Sequence, residues 1–373
     1  IAEDIYANFT SAVKRISSDQ AFIGRKLYPY CKDMFDASPS VEFLKAIIAG
    51  GSRWAEEKYL SEQSSEADAK AFFNFRLRQT MLRYQEAIPD CQGSMLMCFG
   101  YFSAPPETTD TNPGVDWKVH MDMEMNTLAN SLPFSGLYGV MYYHSSYADE
   151  ESQRWLAKLY RHYCIEGKTQ MLSKDPYVLP HIQNPDFAAG ESGWQLSPAE
   201  TGSMSVKNVP GLSWLQGRYN LLDRWPEKFE MNNAICMRRS SKSPNKLSQR
   251  IMSLTPGRLY SLKMMTADHS AFEKGQDAKQ EHQMSVVVKG VDVIPAKSFV
   301  EQYPSSKAGH VYGPFTRENN LWITFRRVVF RAKSKSADLT ISDWAGDTDP
   351  GGPIGQELMH NFIQVQPYLG DGE

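Results

Sequence analysis

Several features that mark particular protein classes are scarce in this sequence. No apolar run approaches the roughly 20 residues that span a bilayer, and a net charge of -3 lacks the concentrated positive charge that nucleic-acid binding needs. The five cysteines are odd in number and have neither zinc-site nor disulfide-framework spacing. We therefore expect a globular protein with buried thiols, no membrane span and no nucleic-acid partner.

Helical periodicity is present in the first part of the chain and absent from the second. Past Lys168, strand-like runs follow one another, separated by Gly, Pro, Asn and Ser. The 373 residues also exceed the length of one ordinary core. We predict an α/β domain over residues 1–175 and an all-β domain, an antiparallel β-sandwich, over residues 183–373.

The clearest strand and helix of the first domain lie between residues 137 and 167. Leu137 to Tyr143 is rich in residues typical of a buried strand, and Ser146 with Asp149 has the spacing of a capping box. Apolar residues then recur at every fourth position until Gly167, which ends the predicted helix. The stretch predicts one βα unit, with polar and aromatic groups at the carboxyl end of its strand.

Three similar units precede it, with strands predicted at Arg25–Phe35, Arg53–Leu60 and Gly93–Phe102. Ser65 with Asp68 repeats the capping-box spacing at the start of one of their helices. Alternating strands and helices predict a parallel sheet with right-handed connections. A complete (β/α)8 barrel of the TIM type needs eight units and about 250 residues. Four units indicate either the second half of such a barrel or a smaller open α/β sheet, and the long loops after the strands favour the half-barrel. Because the chain starts at Ile1, we expect processing or an N-terminal half or other subunit outside this sequence.

The second domain contains motifs of a known family. Asn184-Pro185-Asp186-Phe187 with Gly193-Trp194, the strand pair Leu247–Met264 and the closing run Asn361–Tyr368 resemble carbohydrate-binding modules of the galactose-binding-like jelly-roll fold. Members of that family often have an acidic residue after the Phe that helps to bind a structural calcium. Ala188 stands there instead, which argues against calcium, and the sequence indicates no other cofactor.

With such a module attached, the first domain resembles the second half of a glycoside-hydrolase barrel. The resemblance implies a carbohydrate partner, a location outside the cytoplasm, and a reaction carried by two carboxylates, one of which could lie outside this sequence. Alternatives are a non-catalytic glycan-binding or surface assembly protein and a plain structural partner.

Glycoside hydrolysis needs a proton donor and a second carboxylate, about 5 Å apart for retention and about 6.5–9.5 Å for inversion. Glu62 ends the second predicted strand and is the leading acid/base or nucleophile candidate, with Glu57 a weaker one. Asp33 ends the first strand and His144 follows the fourth, so both are candidates to orient or protonate. A solvated turn, a loop cap and a buried imidazole are the structural alternatives for Glu62, Asp33 and His144.

Aromatic residues near the predicted strand ends suit sugar rings, whose apolar faces stack on aromatic side chains. The candidates for substrate binding are Tyr30, Tyr101, Tyr143 and Tyr147 in the first domain and Trp225 in the second. Each tyrosine alone is also typical of a core residue, whereas Trp225, in a loop between Arg224 and Pro226, is the tryptophan of the second domain that we most expect to be exposed.

The helix predicted to start at Asn112-Pro113 presents a possible metal motif, His120, Asp122 and Glu124. These residues lie opposite the apolar face formed by Trp117 and Met121, so we expect a solvated helix surface there. The identity of any metal stays open.

Overall fold

The computed structural model describes residues 30–31, 41–100, 110, 112–143, 149–212, 232–275, 279–306, 309–310 and 321–371. Within these ranges no helix combines the length and the apolar character that crossing a membrane requires. The α-helices are α1 Val41–Ala49, α2 Glu66–Ala87, α3 Trp117–Ala129, α4 Glu150–Leu159 and α5 His269–Lys274, and a π-helical turn, Tyr160–Ile165, continues α4. Short 3-10 turns lie at Cys91–Ser94, Leu132–Phe134 and Pro295–Lys297.

Capping explains where the helices begin. The Ser65 hydroxyl accepts the N–H of Asp68 at 3.1 Å, which confirms the predicted capping box of α2. The other two predicted starts are placed too early. Asp116 caps α3 by accepting the N–H of Lys118, and Asp149 caps α4 by accepting the N–H of Ser152. Asp at these positions satisfies N–H groups that have no partner inside the helix.

A parallel sheet occupies the first part of the chain. Its strands are β1 Tyr30–Cys31, β2 Trp54–Lys58, β3 Met95–Gly100 and β4 Gly139–Tyr143, and they lie side by side in that order. The predicted TIM-type half-barrel is wrong. Three strands of five or six residues and a two-residue edge strand form a small sheet, and most of the described strands lie in antiparallel sheets instead.

The helices α2 and α3 pack on one face of the parallel sheet. Tyr84 of α2 donates its hydroxyl to Glu56 of β2 at 2.6 Å, and the Tyr142 hydroxyl of β4 lies 3.4 Å from the Met121 carbonyl of α3. Trp54, Met97 and their neighbours form the apolar core between sheet and helices. We call this part, the described residues between 30 and 177, the α/β region.

Two antiparallel sheets make up the rest of the structure, the β region (residues 182–371). Its strands are β5 Gln195–Ser197, β6 Met204–Asn208, β7 Asn233–Arg238, β8 Lys246–Ile251, β9 Leu259–Asp268, β10 Ser285–Lys289, β11 Val291–Val293, β12 Phe299–Ser306, β13 Gly309–His310, β14 Leu321–Ala332, β15 Ala337–Ser342 and β16 Glu357–Pro367. The smaller sheet has the order β10-β15-β8-β5, and the larger has β13-β12-β14-β9-β16-β7-β6, with β11 paired to β14.

The two antiparallel sheets share one apolar core. Met264 and Ile363 of the larger sheet pack in the same cluster as Leu247 and Leu339 of the smaller one. Alternating residues of β9, β14 and β16 point away from this core, so the larger sheet also has an outer face. The strand order of these sheets does not establish the predicted jelly roll.

The motif that carries the family resemblance forms a tight corner at the start of the β region. Phe187 is fully buried and stacks on Trp194 with ring centroids 5.5 Å apart. The indole N–H of Trp194 donates to the Asn184 carbonyl at 2.9 Å. Gly193 has φ +82°, and a Cβ there would meet Gln183 at 3.0 Å, so glycine is required both for conformation and for space.

Candidate functional site at the carboxyl edge of the parallel sheet

The carboxyl ends of the parallel strands align at one edge of the sheet. Lys58 pairs with Phe99, and Gly100 pairs with Tyr143, so β2, β3 and β4 end side by side. The helices α3 and α4 begin beyond this edge. Because parallel sheets carry their chemistry at the carboxyl ends of the strands, the candidate functional site is sought here.

Glu62 lies at this edge, on the loop between β2 and α2. The residue is 4% exposed, so the solvated turn expected as its structural alternative is not what the structure shows. Its Oε2 accepts the backbone N–H of Asn112 at 2.8 Å, which ties the loop after β2 to the loop before α3. The carboxylate is therefore held in one position by the backbone of a neighbouring loop.

Tyr177 braces the same loop from the segment that leads to the β region. Its hydroxyl accepts the N–H of Gln63 at 3.0 Å and donates to the Gln63 carbonyl at 2.9 Å. Burial, followed by the charge of Glu62, raises the pKa of Tyr177 well above its ordinary value. The tyrosine therefore stays protonated and keeps both hydrogen bonds at any ordinary pH.

Most other predicted site residues lie outside the described residues. This holds for Asp33, Tyr101, His144, Tyr147 and Trp225. For Tyr30 and Tyr143 only the backbone is described: Tyr30 pairs with Ala55 at the start of the sheet, and Tyr143 ends β4. Their roles stay predictions.

Strand β2 carries two consecutive buried glutamates that face opposite sides of the sheet. Glu56 faces the helices, where it accepts the Tyr84 hydroxyl and lies 3.3 Å from the Lys58 ammonium. Glu57 points to the other face, beside Cys98 of β3 in the pairing register. Both glutamates are at most 3% exposed. The face opposite the helices therefore also holds a carboxylate close to the candidate site.

A buried polar cluster lies between α3 and the sheet. The Nε2 atom of His120 is 3.1 Å from the Leu60 carbonyl and 3.5 Å from Oε1 of Glu124, whose Oε2 is 3.4 Å from the Tyr142 hydroxyl. Burial raises the pKa of Glu124, although the hydrogen bond and charge of His120 act in the opposite direction. This cluster links α3 to both the sheet and the loop that carries Glu62.

The prediction of a solvated face on α3 is wrong. His120, Asp122 and Glu124 are all at most 4% exposed. Asp122 accepts the Tyr163 hydroxyl and the Ser173 N–H, each at 2.6 Å. The segment after α4 thus covers the side of α3 that sequence periodicity assigned to solvent, and hydrogen bonds satisfy its polar groups.

Charged side chains of the β region contact the same edge from the outside. Lys263 of β9 lies 3.1 Å from Asp110, and both residues are fully buried. The Lys263 ammonium also lies 5.5 Å from the ring centroid of Trp117. Gln364 of β16 donates to Asp110 at 3.3 Å and to the Val115 carbonyl at 3.0 Å. We call this contact, together with the ion pairs described next, the charged junction.

The N-termini of α3 and α4 complete the charged junction. Lys118 lies 3.4 Å from both Asp116 and Glu151 and donates to the Pro367 carbonyl at 2.7 Å. Arg327 of β14 pairs with Asp149 and lies 3.4 Å from Glu151. Seven charged residues from both regions therefore meet with little access to water: Asp110, Asp116, Lys118, Asp149, Glu151, Lys263 and Arg327.

Burial and pairing shift the pKa values of the junction in opposite directions. Burial raises the pKa of Asp116 despite the nearby charge of Lys118, and it lowers the pKa of Lys263 despite Asp110. Burial alone would also raise the pKa of Asp149, but Arg327, Lys263 and hydrogen bonds from Ser152 outweigh it and hold the value at about 2. The junction is therefore a structural ion-pair network, with its acids engaged by cations.

Sequence reasoning did not find this junction, although a signal was present. Lys263 interrupts an apolar strand, Arg326-Arg327 interrupts another, and Gln364 and Gln366 alternate with apolar residues near the end of the chain. A polar residue at every second position predicts an outer face. The pattern cannot tell whether water or another part of the chain covers that face.

The structural calcium site of the carbohydrate-binding modules that the second domain resembles does not fit the residues present here. Ala188 provides no carboxylate, and its N–H is donated to Asp186 at 3.2 Å. The carbonyls of Gly190 and Ser192 accept hydrogen bonds from the Asn184 side-chain amide at 2.8 and 3.0 Å. These oxygens satisfy an amide and are not presented to a cation.

Comparisons with protein-family models and with curated proteins give no match. Among solved structures, the enzymatically active domain of bacteriophage CBA120 tailspike protein 4 is 10% identical, with a TM-score of 0.28 over 51% of this chain and 21% of that chain. TmCBM61 in complex with β-1,4-galactotriose is 15% identical, with a TM-score of 0.26 over 50% and 97%. The family GH115 4-O-methyl-α-glucuronidase BtGH115A, with specificity for decorated arabinogalactans, is 12% identical, with a TM-score of 0.23 over 83% and 34%.

These structural neighbours are distant, and the last two have carbohydrate-related names. This chain spans about a fifth of the tailspike domain and about a third of the glucuronidase. This similarity is too low to assign a fold or a function, so the proposed function depends on the residues of this chain.

Proposed function

We propose that this chain is a carbohydrate-active protein of the glycoside hydrolase type, acting on a poly- or oligosaccharide outside the cytoplasm. The observation that carries the proposal is Glu62, a buried carboxylate held at the aligned carboxyl ends of β2, β3 and β4. Positions at this edge are where catalytic groups of parallel βα proteins are found.

Glu62 supplies acid/base or nucleophilic chemistry in this proposal. A backbone N–H from Asn112 fixes one carboxylate oxygen, and a fixed orientation is what proton transfer in a transition state requires. Asp33 and His144 are proposed to orient or protonate the substrate, and Glu57 is the weaker candidate for the second carboxylate. Tyr30, Tyr101, Tyr143 and Tyr147 are proposed to stack on sugar rings, and Trp225 is proposed to bind carbohydrate from the β region.

The test is the substitution Glu62→Gln. The amide oxygen of Gln can still accept the Asn112 N–H, so the loop keeps its brace, while proton transfer and nucleophilic attack are lost. We expect release of reducing ends from a panel of polysaccharides to fall roughly 10²–10⁴-fold. Turnover that survives in the substituted protein would remove Glu62 from the mechanism.

Glu56→Gln is the matched control. Glu56 is a buried glutamate next to the same edge, but it faces α2 and pairs with Tyr84 and Lys58. A loss of turnover caused only by disturbing a buried carboxylate would appear in both variants. Circular dichroism of each variant checks that the fold is retained.

A non-catalytic glycan-binding role is the second candidate, favoured by a specific observation. The acids of the charged junction at this edge pair with cations of the β region, and Glu62 itself accepts a backbone N–H. Carboxylates with such structural partners do not require a catalytic explanation. Retention of the chain on immobilised glycan with no product released would favour this role over hydrolysis.

A further inference from the structure

Three side chains of the metal-ligating type meet near the start of β16. They are Cys236 of β7, His269 at the first position of α5 and Glu357 at the first position of β16. One potential ligand atom from each lies within 4.8 Å of the other two. This cluster is in the β region, and the proposed carbohydrate chemistry does not use it.

Regular structure holds each of the three residues in place. Glu357 pairs with Arg238, and Cys236 pairs with Met359, in the register that joins β7 to β16. Asp268 caps α5 by accepting the Ala271 N–H at 2.9 Å and also accepts the side-chain amide of Gln356 at 2.8 Å. The last bond fixes the start of α5, and therefore His269, beside the start of β16.

The three residues have a defined arrangement without any ion. Nδ1 of His269 lies 2.8 Å from Glu357, and the Lys207 ammonium lies 2.8 and 2.9 Å from the two oxygens of the same carboxylate. Cys236 is 1% exposed. Lys207 therefore neutralises the carboxylate in this arrangement.

We propose that Cys236, His269 and Glu357 form a binding site for a divalent transition-metal ion of the zinc type. Thiolate, imidazole and carboxylate are the ligands that zinc takes at about 2.0–2.3 Å, so ligand atoms around a shared ion lie some 3–4 Å apart. The observed spacing, at most 4.8 Å, is close to this value. A water molecule completes the four ligands.

Binding of the metal requires three changes at the site. The imidazole of His269, whose Nδ1–H faces Glu357, must present its unprotonated nitrogen to the metal. The S–H bond of Cys236 breaks, its electron pair goes to the metal, and the proton leaves to solvent, so affinity rises with pH. Lys207 leaves the carboxylate, which is feasible because its side chain is 36% exposed and can extend into water. The metal then joins β7, α5 and β16 in place of the lysine.

Cobalt(II) is the probe, because a thiolate ligand gives it a charge-transfer absorption band. We expect the reduced protein to bind one equivalent with this band and to release a proton. Cys236→Ser should abolish the band and weaken binding by more than the roughly 10–100-fold that loss of an outer-shell partner costs. Lys207→Met should tighten binding, since the competing ammonium is gone.

Cys164→Ser is the matched control, because Cys164 is an exposed thiol far along the chain from the site. Its removal should leave the band unchanged. The proposal is overturned if the wild-type chain shows no band, or if the band survives Cys236→Ser. Equal affinity in Lys207→Met and wild type would also contradict the displacement of Lys207 and favour a plain ion-pair cluster.

Discussion

The outer face of the larger antiparallel sheet has two halves, and different kinds of side chain cover them. In one half, Met265, Phe325 and Met359 form an apolar cluster with Phe272 of α5. In the other half, the same strands β9 and β14 present Lys263 and Arg327 to the α/β region. Two residues along a strand separate an ordinary hydrophobic layer from a layer of buried ions.

The two halves differ in what they require of the surface that covers them. Apolar side chains gain free energy from any close cover, because the hydrophobic effect is non-directional. Buried ions gain little net stability, but each one is costly when its partner is removed. The apolar half can therefore be covered by a helix of its own region. The charged half can be covered only by a surface with matching charges, which Asp110, Asp149 and Glu151 provide.

The largest expected effect comes from Arg327→Met. The substitution keeps an apolar stem but leaves Asp149 and Glu151 without this cation in a buried site. We expect the free energy of unfolding, measured in urea, to fall by about 3–5 kcal/mol. Lys70→Met, which breaks the exposed pair with Glu66, is the control and should cost under about 1 kcal/mol. Equal effects of the two substitutions would mean that the junction stabilises no more than a surface pair does.

The second-largest expected effect is a pH dependence of the stability that the charged half contributes. The pKa of Asp149 is about 2 in the folded chain, below its ordinary value, so its contribution is complete above pH ~4 and is lost as pH falls towards 2. The contribution is roughly 2 kcal/mol. Asn caps a helix about as well as Asp, so Asp149→Asn should be less stable than wild type by this amount at neutral pH. The gap should close towards pH 2, and a gap that stays constant with pH would contradict the assignment.

The smallest effect is expected in the apolar half. Phe272→Leu keeps an apolar side chain under the cluster and should cost about 1 kcal/mol, an ordinary value for a point substitution. Because no buried charge is exposed, the cost should not change between low and high salt. A salt-dependent loss would show that the two halves are coupled.

Local features of this fold could be predicted from the sequence. Strands β2, β3 and β4, the Ser65 capping box, and the change from helices to strands after residue 168 all follow from periodicity and capping. These signals are local, since a cap or an alternating strand depends on neighbouring residues. The position of Glu62 at the end of a strand could also be predicted from the sequence. Its contact with Asn112, 50 residues away, could not.

The predictions that were wrong concern features that depend on contacts between residues distant in sequence. The four predicted βα units correspond to the four strands of the parallel sheet, but a count of units does not show whether the sheet belongs to a barrel, so the half-barrel was wrong. The polar side of α3 was assigned to solvent because periodicity does not reveal that Tyr163 and Ser173 cover Asp122. Both the charged junction and the Cys236 cluster join residues from separate elements.

We expect the charged junction to make the α/β region and the β region one cooperative unit. Scanning calorimetry of the full chain at neutral pH tests it directly, because a single two-state transition has equal calorimetric and van't Hoff enthalpies. We predict one transition in the wild type and two separated transitions in Arg327→Met. Two resolved transitions in the wild-type chain would contradict the claim.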